Sequence, residues 1–193
     1  MPAELHVIAF SGGKDSTALA LRLAEIEPRD YLLVCTPTGD ELPEWHAHMR
    51  GVSDMTGRPL QIVSAGQSLN GMVQREKMIP SFHARWCTRK LKIEPYRAWL
   101  RQQTESHERV VSYVGLRADE EGRAGGAYDD IPNVEMRFPM REWGWGAGDV
   151  WSFLEQRNIR IPERTDCARC WGQQLGEWWR LWREHPVVYA DAE

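Results

Sequence analysis

No stretch of the sequence approaches the eighteen or so apolar residues that a membrane-spanning helix needs, and there is no repeat or low-complexity tract. Spanning-helix, collagen-like and disordered classes are therefore set aside, and no membrane partner is expected. The N-terminus, MPAELHVIAFSGG, has no basic segment ahead of its short apolar run, so no signal peptide is predicted and the cytoplasm is the expected location. Charge of one sign is also scarce: the net value of -4 argues against a dedicated nucleic-acid binder. The G-x-x-x-x-G-K-[ST] pattern is absent, which excludes the common mononucleotide P-loop. Cysteine is rare, at four residues.

What remains is the profile of one globular unit. With 193 residues, 42% hydrophobic and 27% charged, the chain suits a single domain. We expect a sheet core over 1–140 and a helical segment over 141–193. Eight basic residues (Arg75, Lys77, Arg85, Arg89, Lys90, Lys92, Arg97 and Arg101) face only Glu76 and Glu94 within one stretch. That stretch reads either as a solvated helix face or as a surface for phosphate or sulfate. Ten Trp outnumber four Phe and five Tyr together, and seven of them lie between Trp143 and Trp182.

Hydrophobic periodicity orders the elements. Strands are predicted over His6–Phe10, Tyr31–Thr36, Leu60–Val63, Val110–Leu116 and Val134–Met140. Leu19, Leu23 and Ile26 mark a helix after the first strand, and Pro43 opens a second that runs to about Met55. A basic helical pattern from Thr88 to about Gln103 is interrupted at Pro95, and Ala147–Gln156 and Gln173–Trp182 read as helices. Strands separated by helices imply an α/β fold: a mainly parallel five-stranded sheet with helices on both faces. Glu120–Tyr128, with Gly122, Gly125 and Gly126, is expected to be a mobile loop. Leu175, Trp178, Trp179 and Trp182 share one helical face, read as core packing over the cysteine loop, with stacking on substrate bases as the other option.

The strongest motif is SGGKDS, Ser11 to Ser16, between the first strand and the first helix. Gly12 and Gly13 let backbone N–H groups approach a phosphate, and the helix N-terminus adds donors and positive dipole. Lys14 can neutralise charge, Ser11 and Ser16 can donate hydrogen bonds, and Asp15 can cap the helix or hold a metal such as Mg²⁺ on the phosphates.

SGGKDS resembles the pyrophosphate loop of the PP-loop ATP pyrophosphatase superfamily. Three more segments resemble its phosphoadenosine phosphosulfate (PAPS) reductase-like family, in the short bacterial and phage form. They are Thr38-Gly39 with Glu41-Leu42-Pro43-Glu44, the run Arg85 to Ile93 around Cys87, and Gly115 to Glu120 with Arg123. Pro37 stands where that family places Asp. The resemblance implies the adenine-nucleotide α-hydrolase-like version of the Rossmann sheet, with ATP or an adenylyl-sulfate at the strands' carboxyl ends. It assigns nucleotide contacts to Ser11, Gly12, Gly13, Lys14, Asp15, Ser16, Thr38, Gly39, Arg89, Lys90, Arg117 and Arg123. Catalytic roles fall to Lys14, Asp15, Arg117 and Cys87. The implied acceptor is a small molecule or a nucleic acid, with a thiol or sulfur-donor protein as a further partner.

Assimilatory sulfonucleotide reductases carry a Glu-Cys-Gly tail, and this sequence ends HPVVYADAE. That departure favours ATP-driven sulfur transfer or adenylation, while the family's name favours sulfonucleotide reduction. Cys35, in a predicted strand, reads as a buried apolar residue. Cys87, Cys167 and Cys170 form a pattern similar to the three-cysteine [4Fe-4S] sites of some tRNA thiolases. His83, four residues before Cys87, offers a fourth ligand for Zn²⁺ instead. Unmetallated thiols are the third option. The alternative to an enzyme is a non-catalytic nucleotide-binding or redox-sensing module, with nucleic acid bound through the basic stretch.

Overall fold

The computed structural model describes residues 4–27, 29–123, 128 and 130–192. Its elements run β1 (Glu4–Ala9), α1 (Lys14–Ile26), β2 (Tyr31–Cys35), α2 (Pro43–Thr56), β3 (Leu60–Ile62) and α3 (Leu69–Glu76). A π-helical segment, Thr88–Ile93, leads into α4 (Glu94–Thr104), followed by β4 (Arg109–Tyr113) and β5 (Val134–Arg137). The chain closes with α5 (Pro139–Glu142), α6 (Ala147–Gln156), α7 (Leu175–Glu184) and α8 (Pro186–Ala190).

The five strands pair in the order β3-β2-β1-β4-β5, every pair parallel. Alternate residues of each central strand serve opposite faces. Ile8, Leu33, Val111 and Tyr113 pack with Leu19, Leu23, Met49 and Phe153 of α1, α2 and α6. Val7, Val34 and Val110 turn the other way, onto Tyr96 and Leu100 of α4. Both faces are therefore covered, which suits the apolar neighbours Val7-Ile8 of β1 and Val110-Val111 of β4, whose side chains point to opposite faces.

Three expectations are corrected. Pro95 does not interrupt the basic helix: the N–H of Glu94 bonds the carbonyl of Arg89, five residues back, and Pro95 sits in the first turn of α4. Proline is tolerated there because its missing N–H is not needed, and the widened turn before it keeps the chain helical. The tryptophan face of α7 is not core. Leu175 is 88% exposed and Trp179 and Trp182 each 55%, while Leu181 is the buried residue, packed with Leu42, Ala168 and Trp178. The apolar stripe of α7 is wider than the edge that meets the protein. Finally, β5 ends at Arg137, and Met140 belongs to α5.

Helix α3 went unpredicted, although Ser68 caps it by accepting a hydrogen bond from the Gly71 N–H at 3.1 Å. Of the loop expected over Glu120–Tyr128, Gly125 and Gly126 lie outside the described residues. Its start is tied down: Arg123 N–H donates to the Glu120 carbonyl at 3.0 Å, as does Arg141 Nη2. No helix of the described residues is long and apolar enough to cross a membrane.

Candidate active site

The cradle forms where β1 gives way to α1. Gly12 adopts a φ of +80°, and a Cβ there would lie 2.7 Å from Met49 Sδ and 2.9 Å from Trp45 Nε1. Only glycine fits, because both the conformation and the space exclude a side chain. Trp45 Nε1 donates to the Ser11 carbonyl at 2.9 Å, which ties the loop to α2. Ser16 Oγ accepts from the Ser11 N–H at 3.3 Å and donates to the Gly13 carbonyl at 3.1 Å. Gly13 is the N-cap of α1 and supplies no side-chain acceptor, so the first-turn N–H groups have no cap competing with an anion. Behind them Gly115, just after β4, presses close: a Cβ on it would meet the Asp15 and Ser16 backbone at 3.1 to 3.2 Å.

Asp15 is the hub of the charges. Its Oδ2 accepts from Lys14 Nζ at 3.0 Å and from Arg117 Nη1 at 2.9 Å, while Oδ1 is buried with no partner. Arg117 also donates through Nε to Asp119 Oδ1 at 2.8 Å. Asp119 Oδ2 in turn accepts the Ala147 N–H at 2.9 Å, and these contacts hold its carboxyl below the usual range. Arg123 pairs with Glu120 at 2.5 Å on the outside of the loop, with a side chain 68% exposed against 15% for Arg117. The fold thus brings Lys14, Asp15 and Arg117 together and leaves Arg123 peripheral.

A cleft of about 210 Å³ opens beside the cradle at the carboxyl ends of β1, β2 and β4. Its walls include Ser11, Thr36, Glu41, Lys92, Val114 and Thr165. This is the point where strand order reverses, with β2 on one side of β1 and β4 on the other. Open α/β sheets bind ligands there. Of the basic stretch, Lys92 reaches this cleft. Arg89 pairs with Glu94 and Lys90 with Glu76, and neither lines it. Thr165 brings the C-terminal segment to the cradle: a Cβ on Gly13 would lie 3.7 Å from Thr165 Oγ1.

Two residues after Thr165 the cysteines begin. Cys87 and Cys167 are buried in one apolar cluster with Leu69, Met72, Trp86 and Leu91, and Cys170 packs against it from a half-buried position. Segments eighty residues apart in sequence therefore share one apolar cluster. Cys170 and Cys167 are adjacent across one turn, with the Cys170 N–H donating to the Cys167 carbonyl at 3.2 Å. The two thiols influence each other: the Cys167 neighbour draws the Cys170 thiol below its usual range, while Cys170 and then burial push that of Cys167 up, with the Lys92 charge opposing the rise. Cys35 stands apart at the end of β2, where burial, then Glu41, raise its thiol to about 12. His83 is exposed and edge-on to Phe82. Among the described residues no three His, Cys, Asp or Glu side chains are placed to hold a metal ion, so the donors as arranged do not fit the expected cluster or zinc.

Sequence reasoning missed the device that sets the cysteine loop. Asp40 is buried, and its carboxylate accepts from Arg169 Nε at 2.7 Å, from the Arg169 N–H at 3.1 Å and from Arg169 Nη2. Its carbonyl accepts the Ala168 N–H at 2.6 Å. Asp40 adjoins Thr38-Gly39 and Arg169 lies inside the C-x-x-C, but nothing in their spacing announces the pairing. The N–H groups of Thr38 and Gly39, expected to meet nucleotide, instead donate to Glu41.

This architecture has counterparts. Residues 5–164 match the model of the phosphoadenosine phosphosulfate reductase domain. The chain belongs to that family. Two uncharacterized proteins of Methanocaldococcus jannaschii are each 25% identical to it, over 97% and 94% of its length. The PAPS reductase-family chain spans 40% and 45% of those relatives, less than half of each. Its fold is similar to that of the PAPS reductase from Candida auris, solved as a phosphate complex (TM-score 0.60, 13% identity, 84% of this chain and 76% of that one). It is also similar to the U34-tRNA thiolase NcsA from Methanococcus maripaludis, solved with its [4Fe-4S] cluster (TM-score 0.56, 14% identity, 98% and 69%). Both belong to the PP-loop superfamily, and the all-parallel sheet of this chain matches the PAPS reductase fold.

Proposed function

We propose that this chain is a PP-loop enzyme that binds ATP or an adenylyl-sulfate and carries out sulfur chemistry on it, by reduction of a sulfonucleotide or by ATP-driven adenylation and sulfur transfer. The observation that carries the reading is a juxtaposition. An uncapped helix N-terminus with Lys14, Asp15 and Arg117 lies beside a cleft lined by Ser11, Lys92 and Thr165, and the segment that brings Thr165 there runs on to Cys167 and Cys170.

The roles follow from the geometry. Backbone N–H groups of the first turn of α1 take the phosphates, and Lys14 and Arg117 balance their charge. Asp15 Oδ1, which has no partner, is the oxygen suited to Mg²⁺, a Lewis acid for the phosphoryl group when bound. Lys92 meets the anionic end of the nucleotide nearest the cysteines. Of the three clustered thiols, Cys170 is the nucleophile in this reading, because it is the half-exposed one and its thiol lies below its usual range. Cys87, the expected catalytic cysteine, is buried and helps form the floor beneath the pair.

Calorimetric titration with ATP and adenylyl-sulfate tests the cradle. Lys14→Ala and Arg117→Ala should each weaken binding by about ten- to a hundredfold, the loss of one charge-assisted contact of about 1.5–3 kcal/mol. Release of sulfite or of pyrophosphate then separates the two reactions. Unchanged affinity in both variants removes the cradle from the reading.

A further inference from the structure

Just after β2 the backbone N–H groups of Thr38, Gly39 and Asp40 point into one concavity, with Gly39 at a φ of +73°. Successive N–H groups arranged in this way make a ready anion nest. Here the nest is already filled from within. Glu41 Oε1 accepts from the Thr38 N–H at 2.6 Å and from Thr38 Oγ1 at 2.7 Å, and Oε2 accepts from the N–H groups of Gly39 at 3.0 Å and Asp40 at 3.2 Å. Four donors hold one carboxylate, so this side chain is a fixed wall and not a rotor.

That wall belongs to the nucleotide cleft, which Glu41 lines together with Ser11 and Lys92. Its negative charge reaches Cys35 on the same lining, where it adds to burial in pushing the thiol up. Among the described residues that line the cleft, Lys92 is the one basic side chain. Of the neighbouring guanidinium groups, Arg117 serves the cradle beside Asp15 and Asp119 and does not line the cleft, and Arg169 is paired with Asp40. In the reading proposed above, a nucleotide whose phosphates occupy the cradle lays its ribose along the adjoining cleft, which meets the cradle at Ser11. A phosphate on that ribose brings roughly 1.5 to 2 further negative charges. It would meet an immobile carboxylate, a nest with its donors spent, and a single lysine that the 5′ chain also needs. An unmodified ribose hydroxyl brings no such charge.

We propose that Glu41 makes the cleft selective for adenine nucleotides with a free ribose 3′-hydroxyl, the class of ATP and adenylyl-sulfate, over their 3′-phosphorylated counterparts. The inference rests on the cradle reading above. It departs from the nucleotide named in the family's description, which carries that 3′-phosphate.

The test is a matched pair, ATP and ATP bearing a 3′-phosphate, titrated calorimetrically into the whole chain, and into Glu41→Gln and Glu41→Ala. ATP should bind at least tenfold more tightly to the wild type. Glu41→Gln removes the charge at nearly constant shape, and Glu41→Ala empties the nest, so in both the preference should shrink to threefold or less. Because the preference is a ratio within each protein, a general loosening of the loop cancels. Equal or tighter binding of the 3′-phosphorylated nucleotide to the wild type overturns the selectivity while leaving the cradle in place. A preference that survives unchanged in both variants overturns the role of Glu41. If neither nucleotide binds, the cradle reading falls and takes the selectivity with it.

Discussion

Replacing Asp40 by alanine should disconnect the cysteine loop from the nucleotide-binding half of the protein. The Asp40 side chain is only 2% exposed and makes three hydrogen bonds to Arg169, two of them from the guanidinium. Removing one member of a fully buried ion pair costs about 3–5 kcal/mol, because the remaining charge loses its partner inside the protein. Arg169 is one-fifth exposed and keeps Asp191 at 3.9 Å, so part of that loss is recovered from water and from the second carboxylate. We therefore expect a loss of about 2–3 kcal/mol, equivalent to roughly 4–12 °C in melting temperature for a chain of this size. Asp40→Asn, which preserves the shape but not the charge, should cost less than Asp40→Ala. The local consequence is more diagnostic than the global one. Cys167 is buried and its neighbour Ala168 is pinned to the Asp40 carbonyl. Thiol labelling under native conditions should thus modify Cys170 first in the wild type and both residues in Asp40→Ala. A loss below about 1 kcal/mol in the variant, with Cys167 still unlabelled, would falsify the view that this pair sets the loop.

Gly12→Ala forces a Cβ to within 2.7 Å of Met49 Sδ at a φ of +80° and pushes on the indole that holds the Ser11 carbonyl. It should cost about 2–4 kcal/mol from left-handed strain and overpacking, seen in urea unfolding, and remove ATP binding; a wild-type titration curve refutes the steric account. Burial lowers the His6 and His48 pKa values below 6.5, so the unfolded chain binds more protons than the folded one as pH falls through 6.5. Stability from these two groups is complete above that pH and is lost on acidification towards the folded values. The urea midpoint should fall between pH 7.5 and 5.5, and less so in His48→Gln; a midpoint that is flat across the range contradicts this.

Local chemistry and short-range periodicity determined a large part of this protein from sequence alone. The cradle was legible because its requirements are contiguous: a strand, two glycines and a helix N-terminus lie within Val7 to Leu19. The parallel sheet was legible for a related reason, since apolar runs such as those of β1 and β4 persist only where both faces are covered. What failed were features settled by the register of one element against another. The face that α7 presents, and the choice of Lys92 over Arg89 and Lys90 for the cleft, depend on rotations of a fraction of a helical turn. A hydrophobic stripe or a basic run does not encode them. The Asp40–Arg169 pair and the filling of the Thr38–Asp40 nest by Glu41 are decisions of tertiary structure too. A charged residue in sequence carries no mark of whether it will face substrate, solvent or an opposite charge 129 positions away. Only the packing of the C-terminal segment onto the loop after β2 decides this, by burying one carboxylate where a guanidinium arrives to meet it.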